Sequence, residues 1–566
     1  MCWGFPDLGR VPGRRSSTAG GRAIARAVSP TDPPSSSDHE ENSELDSAVP
    51  KEVTAQVAAA ADLLESLIAD RALLAGLEPQ LVRRLLIAAG QVSRPERSEQ
   101  RRLSRERRRQ NKTSKREKYR EVVATAGIRA SRRQSRLMLS DQMPPLAFGS
   151  DDAELPDSIP SESRPLPQSR NCYICKVDYD SLHHFYDALC PECAEFNWAK
   201  RSYQADLSGR VAILTGARVK IGYETGLKLL RAGATLVATT RFPRDAALRY
   251  AAEADFADWG GSLEIYGLDL RHTPSVEAFC RHMADRHERL DFILNNACQT
   301  VRRPPGFYSH LIEDEALSLE SLPAGCAPLL QNFDRLRQSH RDETQNILGS
   351  TSELALGREH QGLVGLAHAP ELSQLPLIEG DLDAGAQLFP KGQLDDDLQQ
   401  VDLRGINSWR LPLDEVSAVE LLEVHLVNAV APFVLNARLK SLMSRTDARD
   451  KHIVNVSAME GQFYRSFKTD KHPHTNMAKA ALNMMTRTSA VDYIKAGIHM
   501  NSVDTGWITD EDPAQIAEEK RRSQDFHPPL DSIDAAARIC DPIFSGIETG
   551  EHVWGQFLKD YRPTRW

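Results

Sequence analysis

The chain of 566 residues is poor in aromatic side chains, at 6%, and its nine cysteines are too few to build a disulfide scaffold of that length. It has no run of about 18 apolar residues, so no membrane-spanning helix is expected. No internal repeat is visible, which removes repeat arrays from consideration. Hydrophobic residues amount to 41%, below a compact enzyme's usual share, so the apolar material must be concentrated; it lies after residue 206. A net charge of −9 carries no global signal for nucleic acid. At about 150 residues per domain, the length suggests three or four units.

Residues 1–50 are rich in Ser, Pro, Gly and charge, and are expected to stay disordered because they cannot bury enough apolar surface. The first 30 residues carry Arg and Ser with a single acid, Asp7. That composition suits an organellar presequence as well as a plain tail; without it, the expected location is cytoplasmic. Leucines at three-to-four spacing from Val53 to Ala89 predict helices, within a helical region spanning 51–135. Residues 101–120 hold eleven Lys/Arg against two Glu, with Tyr119 as the one aromatic. An exposed charged helix is favoured there over nucleic-acid binding. The proline-rich stretch 136–168 reads as a linker.

Cys172 and Cys175, then Cys190 and Cys193, form two C-x2-C pairs separated by fourteen residues. Two such knuckles close a tetrahedral thiolate shell suited to a structural Zn²⁺, giving a module over 169–200. A redox dithiol is the competing reading. His183 and His184, between the pairs, are expected to support the site or replace a ligand.

Beyond residue 206, strands alternate with helices, so the predicted class is α/β with a doubly wound parallel sheet, Rossmann-like. Predicted strands are 211–215, 235–240, 263–268, 291–295, 452–457, 499–504 and 552–558. The first ends in the turn Thr215-Gly216-Ala217-Arg218-Val219-Lys220-Ile221-Gly222, followed by an amphipathic run. A helix N-terminus with glycines in front of it suits a dinucleotide pyrophosphate. Further landmarks follow in order: Thr239-Thr240-Arg241, Asp269-Leu270, Asn295-Asn296-Ala297, Asn428, Ser457, Lys479 and Gly506.

This series resembles the short-chain dehydrogenase/reductase family, over roughly 206–300 and 415–566 of a domain spanning 206–566. The 131 residues between Asn296 and Asn428 then contain an insertion, at about 300–415, whose middle is polar and is expected to be partly disordered or a lid. The resemblance implies a coenzyme site made by Thr215, Gly216, Arg218, Lys220, Ile221, Gly222, Arg241, Asp269, Leu270, Asn296, Ala297, Lys479, Gly506 and Thr509. Lys220 stands where the family has its middle glycine, and Thr505 where it has proline. Arg241, where NAD-binding members carry an acid, favours NADP(H) over NAD(H).

The resemblance also assigns Ser457 to the substrate oxygen, Lys479 to the nicotinamide ribose and Asn428 to a relay water. Its tyrosine, four residues before the lysine, is replaced by Thr475, whose hydroxyl is a far weaker acid than a phenol. The longer loop before Lys479 offers Tyr464, His472 and His474 as substitute proton donors. Alternatively, Tyr464, Phe463 and Phe467 pack over a pocket, or the domain binds nucleotide without turnover. The expected partner is a small carbonyl or alcohol of undetermined identity, with no membrane. A homo-oligomer, or a protein partner held through the N-terminal region, is also open; the rival class is a nucleotide-binding adaptor.

Overall fold

The computed structural model describes residues 51–132, 164–348, 365–366, 368–381, 387–390, 392–395, 399–464 and 468–566. The expected tail at 1–50, most of the linker, Phe467 and parts of the insertion lie outside the described residues. The chain divides into two compact units, 1–104 and 105–566. In the first, α1 (Lys51–Ala69) and α2 (Pro79–Ser93) flank a short 3₁₀ turn capped by Asp70, which accepts the Ala72 N–H at 2.9 Å. The basic segment is helical, as expected, within α3 (Arg97–Val123).

The larger unit opens with a hairpin of β1 (Arg164–Asn171) and β2 (Asp178–Leu182), followed by α4 (Pro191–Ser202). Residues 164–168 are therefore strand and not linker. Antiparallel pairing with β2 outweighs the two prolines in Arg164–Asn171, which sit at an edge where a missing donor costs little.

An eight-stranded sheet in the order β10-β9-β8-β7-β6-β3-β4-β5 forms the body of the unit. Its strands are β3 (Val211–Thr215), β4 (Thr235–Thr240), β5 (Leu263–Gly267), β6 (Phe292–Asn295), β7 (Lys451–Ser457), β8 (Ile498–Asp504), β9 (Phe557–Lys559) and β10 (Arg562–Thr564). All neighbours pair in parallel except β9 with β10. The strand expected at 552–558 starts only at Phe557. Ahead of it Gly555 takes a φ of 65° and donates its N–H to Met500 O at 2.8 Å, and regular pairing with β8 starts only at Phe557, opposite Ser502.

Helices cover both faces, as the doubly wound prediction requires. One face buries Ala212 and Leu214 of β3 against α5 (Lys220–Arg231), α6 (Pro243–Ala251) and α14 (Ser532–Thr549). The other buries Ile213 against α7 (Thr273–Arg286), α11 (Ala431–Met443) and α12 (Pro473–Tyr493). Alternation along a strand thus feeds two cores, and each large aliphatic side chain so buried contributes about 1.5–3 kcal/mol.

The insertion begins with two helices, α8 (Pro305–Glu315) packed on α6 and α9 (Cys326–Leu348) packed on β5 and α6. Phe333 of α9 lies so close to Gly267 that a Cβ there would stand 2.5 Å from its ring, and α9 thereby shields the edge strand β5. After α10 (Ala418–His425), a π-helical turn at Leu426–Val430 leads into α11; α13 (Ala514–Gln524) follows β8. The stretch Ala418–Met443 is long and apolar enough to cross a membrane by length and composition only, and half of its apolar window is buried in this unit, as in the core helix of a folded domain. A polar ladder crosses the middle of the sheet: Asn295 donates to Asn436 and Asn455 at 2.9 and 2.8 Å, and Asn455 donates to Thr486 at 2.9 Å. These bonds tie β6 to β7, whose ends carry the site, although Asn295 Oδ1 has no hydrogen-bond partner among the described residues.

Candidate active site

At the end of β3 the chain turns over the N-terminus of α5. Gly216 has a φ of 69°, and a Cβ on Gly222 would fall 2.0 Å from Gly216 O, so neither position has room for a side chain in this geometry. Lys220 has a φ of 54°, the left-handed conformation a glycine would take freely, at a cost of about 1 kcal/mol for an L-residue. Asn296 donates its amide to Thr215 O and Gly216 O at 3.1 and 3.2 Å, and Ala297 N–H donates to Thr215 Oγ1 at 3.0 Å. The end of β6 is thereby locked onto the turn.

A cavity of about 340 Å³ lies at the C-terminal edges of β3, β4, β5 and β6. It gathers Gly216, Arg218, Lys220, Ile221, Gly222, Arg241, Asp269, Leu270, Asn296, Ala297 and Thr509. Of the coenzyme residues expected from the sequence, Thr215, Lys479 and Gly506 do not line it. Arg218 is buried and paired with Asp245 at 2.7 Å. Asp269 is engaged by Arg271, which donates at 2.7 Å and also reaches Glu423 at 2.7 Å. Burial pushes the Asp269 carboxyl up, but Arg271 and Arg241 outweigh that and hold it below its ordinary value.

Among the lining residues that the sequence reading did not assign to the site, Tyr308 and Glu511 carry titratable groups into it. Tyr308, from α8, accepts a hydrogen bond from Arg241 Nη2 at 2.7 Å, with the guanidinium 4.5 Å above its ring. Burial raises the Tyr308 phenol, yet Arg241, Arg303 and Arg218 together lower it below its usual value. Glu511 accepts from Thr509 at 2.7 Å and Thr300 at 3.1 Å. Burial favours its neutral form, but Lys220, Thr509 and Arg303 more than offset it and keep it ionised. Neither residue follows a recognisable spacing; both reach the cleft through the tertiary fold.

Of the reaction-centre residues expected from the sequence, Ser457, Lys479, Asn428, Thr475 and His474 are each at most 4% exposed, and none of them lines this cavity. Ser457, ending β7, donates to Asn483 at 2.6 Å, and Lys479 donates to Val456 O at 2.7 Å. Asn428 sits in the π-helical turn, where it accepts from Gln299 N–H at 2.7 Å and donates to Gln299 O at 3.1 Å. Thr475, in the first turn of α12, is buried and its hydroxyl has no hydrogen-bond partner among the described residues.

Tyr464 is not brought in: it is 75% exposed and Phe463 is 78% exposed. The cause is Gly461, where a Cβ would meet the Lys479 carbonyl carbon at 2.7 Å. The loop presses on α12 there and then leaves the site, carrying the two aromatics outward. His474 behaves differently. It is buried, its Nε2 stands 3.6 Å from Glu420 Oε1, and neither ring nitrogen has a hydrogen-bond partner among the described residues. Burial raises the Glu420 carboxyl, but His474 and Ser408 hold it below its ordinary value. His472 stacks on Trp409 at 3.9 Å between ring centroids and donates its backbone N–H to Leu411 O at 2.9 Å, so the end of the insertion covers the start of α12.

The four cysteines converge. Their sulfurs all lie within 4.8 Å of one another, and Cys175 Sγ is 3.6 Å from Cys190 Sγ. Four thiolates at about 2.3 Å from one Zn²⁺ stand a little under 4 Å apart, so the donor set and its spacing fit that ion. Cys172 and Cys175 sit at the β1–β2 turn, where Lys176 takes a φ of 64°; Cys190 caps α4 and Cys193 lies in its first turn. His183 Nδ1 accepts the N–H groups of Phe185 and Tyr186 at 3.1 and 3.3 Å, which fixes the chain between the two cysteine pairs.

Residues 210–315 match a family model described as short chain dehydrogenase, and residues 404–531 one described as enoyl-(acyl carrier protein) reductase. The uncharacterized protein R665 of Acanthamoeba polyphaga mimivirus is 28% identical over 401 residues, covering 69% of this chain and 74% of that protein. Human retinol dehydrogenase 14 is 33% identical over 117 residues, 18% of this chain and 35% of its own. The chain thus spans about a third of that relative. Among solved structures, the RhlG/NADP complex of Pseudomonas aeruginosa is similar with a TM-score of 0.37 and 15% identity, over 62% of this chain and 95% of that one. A metagenomic short-chain oxidoreductase in complex with NADP has a TM-score of 0.35 and 17% identity, over 64% of this chain and 100% of its own. Two family models flank the insertion, and between them run the ordered landmarks of one parallel sheet: the chain belongs to the short-chain dehydrogenase/reductase family, a family of oxidoreductases.

Proposed function

We propose that the chain is an NADP(H)-dependent oxidoreductase that moves hydride between the coenzyme and a carbonyl or alcohol, with His474 in the acid role that Thr475 cannot fill. The observation that carries the reading is the cavity at the strand ends, with Arg241 rather than a carboxylate at the end of β4. Gly216, Lys220 and the α5 N-terminus would hold the pyrophosphate, and Arg241 with Thr240 the 2′-phosphate. The bound coenzyme supplies or accepts the hydride. Ser457 orients the substrate oxygen, Lys479 holds the ribose, and Asn428 steadies a relay water. His474, oriented by Glu420, delivers the proton; an imidazole suits transfer near neutral pH. The four thiolates would hold a structural Zn²⁺, with every position filled by protein.

One observation favours a second reading, a nucleotide-binding adaptor. Ser457, Lys479 and Asn428 are nearly inaccessible and each bonds another protein group, as in a scaffold that has no turnover. A screen of NADPH oxidation against aldehydes, ketones and quinones separates the two. Turnover that disappears in Lys479→Ala supports the enzyme, and coenzyme binding without turnover across the panel supports the adaptor.

A further inference from the structure

The four-cysteine module does not stand apart from the coenzyme domain. Tyr173, inside the first knuckle between Cys172 and Cys175, accepts the backbone N–H of Trp507 at 3.0 Å. Trp507 follows Gly506, which has a φ of 83° and sits where an added Cβ would stand 3.6 Å from the Tyr173 hydroxyl. Two residues on, Thr509 enters the coenzyme cavity.

Other contacts run to the same segment. Cys172, Leu189 and Cys190 share one apolar cluster with Ile508, Leu530 and Ala535, and Ile221 of the pyrophosphate turn packs against it. Arg129 bridges Asp187 of the module and Asp525, both at 2.7 Å. Arg132 donates to Pro528 O and Leu530 O at 2.7 and 2.8 Å. Tyr186 donates to Asp534 at the start of α14. The segment from 505 to 534 is therefore held at several points by the module and by Arg129 and Arg132 ahead of it, and the hydrogen bond to the 505–509 loop comes from a residue inside a knuckle.

We infer that the metal-loaded knuckle is a positioning device for the 505–509 loop: through Tyr173 it holds Thr509 in the coenzyme cavity, so that metal loading sets dinucleotide affinity. This rests on the reading of the cavity as an NADP(H) site. Tyr173 is a positioning residue, because it touches the loop and not the coenzyme. A hydrogen bond of ordinary worth, about 1 kcal/mol, corresponds to an affinity change of roughly fivefold.

The test uses the full-length chain, its zinc content measured, with NADPH titrated by calorimetry. Tyr173→Phe keeps the ring and loses the acceptor; it is expected to weaken NADPH roughly fivefold at unchanged zinc content. Tyr179→Phe is the control, because Tyr179 donates to Asp187 O at 2.8 Å wholly within the module. It should leave NADPH affinity within twofold. On the unmodified chain, hydrogen exchange of the 505–512 backbone should quicken when a zinc chelator strips the metal, which needs no variant to fold. If the unmodified chain fails to bind NADPH, the cavity reading falls and the inference with it. If it binds NADPH and Tyr173→Phe binds equally well, or if exchange of the loop ignores the metal, the positioning role is wrong while the cavity reading stands.

Discussion

His474 and Glu420 face each other at 3.6 Å, imidazole Nε2 to carboxylate Oε1, one residue ahead of the position where the family resemblance calls for tyrosine. Both side chains are buried, and the imidazole nitrogens have no hydrogen-bond partner among the described residues. With His474 as proton donor, His474→Asn should lower kcat by roughly 10²–10⁴-fold while leaving NADPH binding within twofold. Glu420→Gln should keep KM and lower kcat by a smaller factor than His474→Asn, because it removes the carboxylate that faces the imidazole. Tyr464→Phe should change neither constant, given its exposure. Steady-state kinetics over pH 5 to 9 check all three; a loss confined to Tyr464→Phe would restore the exposed loop as the donor.

Glu315 closes α8 over the start of α6, where its Oε1 accepts the N–H groups of Arg244 and Asp245 at 2.9 and 3.1 Å. Burial pushes its carboxyl up to about 8. A folded-state pKa above the unfolded value means the folded state binds the extra proton. Its stabilisation is thus complete below about pH 4.5, declines as pH rises from there, and levels off above about 8. Glu315→Gln mimics the protonated form and should be close to neutral at pH 5 but more stable than the parent at pH 9. Thermal melts at the two pH values decide it; parallel losses at both would remove the protonation argument.

Cys190→Ser takes one thiolate from the cluster and should cost several kcal/mol of stability, because metal binding is folding energy for a module with so small a core of its own. Metal analysis of undenatured protein is expected to find one zinc per chain. The preference for NADPH over NADH should be unchanged in the variant, since Arg241, assigned to the 2′-phosphate, is held by Tyr308 of α8. An absence of zinc from freshly purified protein would return the cysteines to the redox reading.

The sheet was legible because strands buried on both faces leave continuous apolar runs, as in Val211–Thr215 and Phe292–Asn295, each ending in a turn signal. β1 was not, since Arg164–Asn171 has no such run and depends on its partner strand. The pyrophosphate turn could be read from spacing alone, because its chemistry is local. Tyr308, Glu420 and Glu511 could not: each reaches the site through a helix or loop whose place is set by tertiary packing. Ser417 three residues before Glu420 was the one local clue, a helix-start signal that marks the element but not its neighbour across the site. Tyr464 was misplaced because residue type suggested a proton donor, while the direction of the loop was decided by Gly461 against α12.

The central claim is that the cavity at the strand ends takes a 2′-phosphorylated dinucleotide through Arg241. Calorimetric titration of the full-length chain with NADPH and NADH tests it most directly. The account predicts NADPH binding at least tenfold tighter, with that difference lost in Arg241→Ala and NADH binding untouched by the substitution. Tighter binding of NADH, or no binding of either coenzyme, would contradict it.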